Sequence, residues 1–186
     1  MKIALIGYGA MGKLIERLAV EEGHEIGCIV DDADSGLSSG ELAEKLRGCD
    51  AAIEFTVADA VRRNVEACVA AGVPIVVGTT GWNEQRDEIE RIVRDGDGAM
   101  VFGANFSIGV NLFYKIAEFA AELFSRFPEY ETFIEEQHHS RKKDAPSGTA
   151  LKIKDVVSKH VDVGDVAATR AGNIPGTHRV GFDGPA

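Results

Sequence analysis

Short apolar runs alternate with stretches in which apolar residues recur at helical spacing, and this rhythm continues up to Ala104. Residues 3–6 form an apolar run that ends in glycine and reads as a buried strand. Met11, Leu14, Ile15 and Leu18 then recur at intervals of three and four, so a helix starts at Ala10 and stops at Gly23. Residues 25–30 predict a second strand, closed by Asp31 and Asp32. A short helix follows over 38–46, with Ser38 or Ser39 as its cap. Strands over 51–55, 75–77 and 99–102 are separated by helices over 58–71 and 83–94. Gly72 and Pro74 stop the first of these helices. The strands are apolar throughout rather than alternating, so both faces of their sheet need covering. Strand–helix alternation at this spacing predicts a parallel, doubly wound sheet with helices on both sides.

After Ala104 the pattern changes. A long helix is expected over 107–125, with Phe113, Ile116, Ala120 and Leu123 on one face, ended by Pro128. A strand over 130–137, a polar cationic loop, a helix over 147–160 and strands over 166–171 and 178–182 complete an α+β pattern. The expected organisation is a nucleotide-binding domain over 1–104 and a substrate-binding, catalytic domain over 105–186.

Composition narrows the possibilities. Thirty acidic against 20 basic residues leave a net charge of −10, which disfavours non-specific binding to nucleic acid or an anionic membrane. Any local basic cluster therefore carries information. No apolar stretch approaches the roughly 20 residues of a membrane span, and the opening apolar run is too short for a signal peptide. Three cysteines without a CxxC pair are expected to be buried small hydrophobes in a reducing cytoplasm.

Gly7-Tyr8-Gly9-Ala10-Met11-Gly12 is a full GxGxxG between a strand and a helix. Gly7 permits the tight turn, Gly9 lets the backbone approach a pyrophosphate, and Gly12 lets the helix pack closely on the strand. The helix start, with Ala10 and Met11, then offers its N–H groups to the phosphates. This is the fingerprint of a Rossmann-type sheet. Asp31, at the end of the second strand, suits the ribose hydroxyls. Asp32 would repel a 2′-phosphate, and no cation stands near it in sequence, so NADH is expected as the preferred cofactor, with NADPH as the lesser one. Phe55-Thr56 and Gly78-Thr79-Thr80-Gly81 follow later strands. Ligands sit outside the carboxyl ends of such strands, so both loops are candidates to line the cofactor cleft; simple turn chemistry is the other reading of each.

The segment Glu135-Glu136-Gln137-His138-His139-Ser140-Arg141-Lys142-Lys143-Asp144-Ala145-Pro146-Ser147-Gly148-Thr149-Ala150 is the most informative. Between His138 and Lys143 lie two histidines and three cations with no carboxylate, running into a helix start. A solvated basic loop is one reading; a site for carboxylate or phosphate is the other. Adjacent His138 and His139 cannot share a helix face and HExxH is absent, so no metal site is expected.

The run HHxxKxDAPSGTA over 138–150 resembles the substrate signature of the dihydrodipicolinate reductase family. The resemblance extends to the glycine motif at Gly7, to Asp31, Phe55-Thr56, Gly78-Thr79-Thr80, Ala104-Asn105-Phe106-Ser107, Arg170-Ala171-Gly172 and Gly176-Thr177-His178. It implies an NAD(P)H-dependent oxidoreductase of the diaminopimelate route to lysine, acting on a small cyclic dicarboxylate. It implies His138 as general acid, Lys142 as the cation that holds or polarises the substrate, and His139, Ser147, Gly148 and Thr149 as substrate-binding residues. It adds Ala104, Asn105 and Phe106 to the cofactor-binding set, and it implies a cytoplasmic homotetramer. Members of the family continue past the equivalent of Phe182-Asp183-Gly184, so a C-terminally incomplete member is expected. Another Rossmann amino-acid-type dehydrogenase would explain the first half but not the 138–150 run. A nucleotide-binding form without catalysis is the further alternative.

Overall fold

The computed structural model describes residues 1–185, and the chain divides into two compact units, residues 1–104 and the part that starts at Asn105. The first unit holds five parallel strands, β1 (Lys2–Ile6), β2 (Glu25–Val30), β3 (Ala51–Glu54), β4 (Ile75–Val77) and β5 (Met100–Phe102), in the order β2-β1-β3-β4-β5. Four helices connect them: α1 (Ala10–Glu21), α2 (Ser39–Leu46), α3 (Ala58–Ala71) and α4 (Arg86–Asp95).

The alternation of side chains along β1 explains the two-sided packing. Ala4 and Ile6 join a core with Leu42, Leu46, Val61 and Val65 from α2 and α3. Ile3 and Leu5 face the other way and join Ala19 and Ile15 of α1. Both faces are thus covered by helices, unequally, because α2, α3 and α4 share one core and α1 alone supplies the other.

Local chemistry sets the helix ends. Ser38 caps α2 by accepting the Glu41 N–H at 3.3 Å, and the Glu41 carboxylate accepts the Ser38 N–H at 2.8 Å. Gly72 closes α3 at φ +69, a left-handed conformation that costs glycine little. The helix expected over 83–94 begins with a separate 3-10 turn at Asn83–Gln85, and α4 proper starts at Arg86.

In the second unit, α5 (Ile108–Phe124) and α6 (Gly148–Val157) pack on a three-stranded sheet. Its central strand β6 (Glu131–His138) runs parallel to β7 (Ala167–Arg170) and antiparallel to β8 (Thr177–Asp183). The core comprises Ala117, Ala121, Ile134, Ile153, Val156 and Val157, with Phe113 packed against it. Here the expected face of α5 is corrected. Ile116 and Leu123 are 64% and 44% exposed, and the inward row is Phe113, Ala117 and Ala121. Small alanines let α5 approach α6 and the sheet closely, so burial follows the fit of small side chains rather than their size.

The cysteines are unpaired. Cys68 is buried, while Cys28 and Cys49 are half-buried rather than fully enclosed. Burial pushes the Cys68 thiol up to about 12, and burial together with the neighbouring Cys49 pushes Cys28 up to about 11, which keeps both protonated. No helix among the described residues is long and apolar enough to cross a membrane.

Leu46 is completely buried between α2, α3 and the sheet. Leu46→Ala is expected to destabilise the protein by about 2–5 kcal/mol. Urea denaturation followed by circular dichroism measures this; a loss well under 1 kcal/mol would show that the site collapses around the cavity.

Candidate active site

The first unit gathers its functional residues at the carboxyl ends of β1 and β3, where successive connections leave the sheet in opposite directions. Gly7 adopts φ +93 and donates its N–H to the Val30 carbonyl at 2.8 Å. A Cβ on Gly7 would lie 2.1 Å from the Phe55 carbonyl oxygen, and one on Gly12 would lie 2.2 Å from the Gly7 carbonyl oxygen. Both positions therefore need glycine for close approach. Gly9 is the N-cap of α1 and contributes no side-chain cap, and the space around its Cα is open. The first-turn amides of α1 are left to an external acceptor.

Two cavities flank this turn. One, of about 400 Å³, is lined by Gly7, Gly9, Asp31, Asp32, Thr56 and Arg63 among others. The other, of about 500 Å³, is lined by Ala10, Met11, Phe55, Gly78, Thr79 and Thr80 among others. The Phe55 ring fills the space where a Gly78 side chain would stand, 2.1 Å from the position of its Cβ. The glycine cradle, the uncapped helix start and the flanking cavities fit a dinucleotide. Ala104, Asn105 and Phe106 precede α5, where the Asn105 side-chain oxygen accepts the Ser107 N–H at 2.8 Å.

The cavity beside Asp31 also holds a cation that is distant in sequence, supplied by α3: Arg63 lines the same cavity as Asp31 and Asp32. Its Nη1 donates to the carbonyls of Ser35 and Leu37, the latter at 3.3 Å. It thus braces the loop after β2. Beneath the cavities Glu54 is fully buried. Its Oε1 accepts the N–H and hydroxyl of Thr56 and, at 3.4 Å, the Asn64 amide. Thr56 N–H also donates to the Thr79 hydroxyl at 2.7 Å, which ties the ends of β3 and β4 together.

In the second unit, sheet register assembles the site. Glu136 and His138 are two residues apart on β6 and so share a face. Across the sheet Glu136 pairs with His178 of β8, and His138 pairs with Arg170 of β7. Directly opposed residues point the same way, so all four converge. Glu136 is buried, and its Oε1 accepts the Ser147 N–H at 2.9 Å and Arg170 Nη2 at 2.6 Å. Its Oε2 lies 3.0 Å from His138 Nδ1 and 3.5 Å from His178 Nε2. Ser147 caps α6 by accepting the Ala150 N–H at 3.2 Å, and its hydroxyl meets His178 Nε2 at 3.1 Å. Gly176, at φ +115, borders the His138 ring; a Cβ there would lie 3.2 Å from Cδ2 and Nε2.

The cationic loop is less uniformly positive than its sequence. Lys142 pairs with Asp144 at 2.8 Å, and Arg141 donates to the Asn173 side chain at 2.9 Å. Ser147 is buried with both its N–H and its hydroxyl engaged, whereas Gly148 is exposed and Thr149 half-buried at the start of α6. His139 is half-buried, with Nδ1 lacking a partner among the described residues. Glu136, Arg170 and His178 were not singled out as site residues from sequence. Arg170 and His178 lay within the motifs that carry the family resemblance, but it is sheet register, with an acid two positions before His138, that brings all three together.

Models of the dihydrodipicolinate reductase N-terminus and C-terminus match residues 1–106 and 109–186. The chain belongs to the dihydrodipicolinate reductase family. The 4-hydroxy-tetrahydrodipicolinate reductase of Christiangramia forsetii is 33% identical over 98% of this chain and 80% of its own length. That of Natronomonas pharaonis is 36% identical over 98% of this chain and 74% of its own. The dipicolinate-bound dihydrodipicolinate reductase from Paenisporosarcina sp. TG-14 has the same fold, with a TM-score of 0.75 at 23% identity, covering 100% of this chain and 84% of that one. Members of the dihydrodipicolinate reductase family are NAD(P)H-dependent oxidoreductases.

In this dihydrodipicolinate reductase family member the site electrostatics are finely opposed. Burial alone would raise the Glu136 carboxyl, but donation from Ser147 and Arg170 overrides it and holds the group below the ordinary range. Burial lowers the His138 imidazole, and the Arg170 and Lys142 charges add to this against the opposing pull of Glu136 and Asp144. Burial and the neighbouring His138 lower His178 likewise. Both shifts favour the neutral imidazole over the imidazolium in the unliganded protein.

Gly12→Ala places a methyl group against the Gly7 backbone and forces α1 off its strand. It is expected to weaken NADH binding by about tenfold or more. Fluorescence titration measures this, and unchanged affinity would remove Gly12 from the phosphate-binding turn.

Proposed function

We propose that this chain reduces 4-hydroxy-tetrahydrodipicolinate, or the dihydrodipicolinate derived from it, to tetrahydrodipicolinate, in the diaminopimelate route of lysine biosynthesis. The observation that carries this is the convergence of His138 and the α6 N-terminus on buried Glu136, with the Lys142 charge acting on the same imidazole, within a half that matches the family's C-terminal model. Bound NAD(P)H supplies the hydride. The chain's own residues bind the cyclic dicarboxylate and deliver a proton.

Hydride addition to a conjugated imine builds negative charge on the adjacent carbon and nitrogen. His138 has its Nδ1 side turned to Glu136, so the imidazolium form carries its second proton on Nε2, hands it to the substrate carbon and is left as the neutral Nδ1–H imidazole. The charge of Lys142 holds a substrate carboxylate once its pairing with Asp144 is exchanged. Gly148 and Thr149 carry first-turn amides suited to a carboxylate, and His139 is assigned to substrate binding with them. Ser147 supports these groups through its cap and its bond to Glu136.

NADH is the preferred cofactor in this reading. Asp31 and Asp32 line the cavity, and the Arg63 guanidinium beside them is already engaged by backbone carbonyls. The remaining cofactor contacts are assigned to Gly7, Gly9, Ala10, Met11, Phe55, Thr56, Gly78, Thr79 and Thr80, with Ala104, Asn105 and Phe106. A cytoplasmic homotetramer completes the reading; three unpaired thiols are consistent with a reducing compartment, and light scattering tests the assembly.

Loss of NADH absorbance on addition of freshly prepared dihydrodipicolinate tests the activity. His138→Gln is expected to lower kcat by roughly 10²- to 10⁴-fold with little change in KM. Lys142→Ala is expected to raise KM and, if the same charge stabilises the transition state, to slow turnover too. Parent-like turnover in His138→Gln would overturn the assigned acid.

For the cofactor, Asp32→Arg replaces a repulsive charge with a phosphate partner and is expected to tighten NADPH binding. A parent protein that already binds NADPH more tightly than NADH by titration would reverse the assigned preference.

A further inference from the structure

We propose that Glu136 is a positioning residue for the reduction: its Oε2 accepts the Nδ1–H of His138 and so makes Nε2 the nitrogen that carries and delivers the proton. This rests on the role given to His138 above. The two oxygens of Glu136 have separate surroundings. Oε1 is taken by the Ser147 N–H and Arg170. Oε2 is buried and has no in-line hydrogen bond among the described residues, and the same is true of His138 Nδ1. These two buried atoms are 3.0 Å apart. Leaving both unpaired costs free energy, and a small rotation of the imidazole pairs them. His178 Nε2 stands farther from Oε2, at 3.5 Å, and has the Ser147 hydroxyl at 3.1 Å as its own partner. The carboxylate is therefore left to His138.

The arrangement does two things. A carboxylate on Nδ1 fixes the tautomer, as in a carboxylate–histidine pair of a hydrolase triad. It also stabilises the imidazolium when Nε2 is protonated. The opposing charges are Arg170 on β7 and Lys142 on the following loop; Asp144 on that loop acts with Glu136, and His178 on β8 meets the His138 ring edge to face with centroids 5.1 Å apart. Arg170 keeps the carboxylate from holding a permanent imidazolium. Glu136, His138 and His178 also bring one ligand atom each within 4.8 Å, but the cation seated on the carboxylate is Arg170.

Two measurements test this. In the parent protein labelled with ¹⁵N-histidine, the neutral form of His138, assigned by its absence in His138→Gln, is expected as the Nδ1–H tautomer. The Nε2–H tautomer would overturn the proposal, and this readout needs neither turnover nor a Glu136 variant that folds. In Glu136→Gln the imidazolium loses its stabilising charge, so its pKa falls and the acid form is lost at lower pH. The alkaline limb of the kcat profile is expected to move down by about one pH unit or more, and kcat at neutral pH to fall by about tenfold or more, with NADH affinity unchanged. Loss of rate without movement of that limb would mark Glu136 as structural only and overturn the proposal. A parent protein that shows the Nδ1–H tautomer yet no reductase activity would sink the proposed function and leave the pairing standing.

Discussion

A carboxyl group removed from water must be surrounded by donors, and each unit of this protein is organised about one such group. Among the described residues, Glu54 and Glu136 are the carboxylic side chains that are fully buried. Each sits at or near the carboxyl end of a strand, where side chains from neighbouring elements can reach it. Glu54 draws in Thr56 and Asn64, and thereby fixes the loop beside the glycine turn. Glu136 draws in Ser147, Arg170 and, through its second oxygen, His138. Burial makes both demands strict, since an unmet donor or acceptor costs far more inside than at the surface. On each group Oε1 is the oxygen that gathers the donors, and the loops that supply them are tied to the strand end.

The glycine turn obeys a complementary constraint, one of space rather than charge. Gly7 and Gly12 let three backbone segments come within the distance that a methyl group would fill. Phe55 then occupies the room left by Gly78. Around the turn itself, close backbone approach and one aromatic ring set the shape of the cavity walls. The second unit relies instead on polar side chains whose directions are fixed by sheet register.

Much of this was legible in the sequence because the signals are local. The limits of α3 follow from its apolar spacing and from Gly72, and the cap of α2 from Ser38 and Glu41. The GxGxxG turn carries its own explanation. The misreading of α5 has a physical cause: Ile116 and Leu123 have the size of core residues, yet Ala117 and Ala121 allow the close approach that decides which face turns inward. Arg63 was missed beside Asp31 because it arrives from a different helix, and no spacing rule connects the two. Glu136, Arg170 and His178 were missed for the same reason. Their meeting depends on which strand pairs with which, and in what register, a property of the folded sheet rather than of any window of sequence.

The contact between Gly176 and His138 has a consequence in time as well as in space. An imidazole that can turn over about its Cβ–Cγ bond exchanges its nitrogens with its carbons, and any division of labour between Nδ1 and Nε2 lasts only as long as the interval between flips. Here the backbone at Gly176 closes one side of the ring and the edge of His178 meets another. A side chain at position 176 would press on Cδ2 and Nε2, so the bare glycine leaves the ring just the room it occupies and each nitrogen keeps its own set of neighbours.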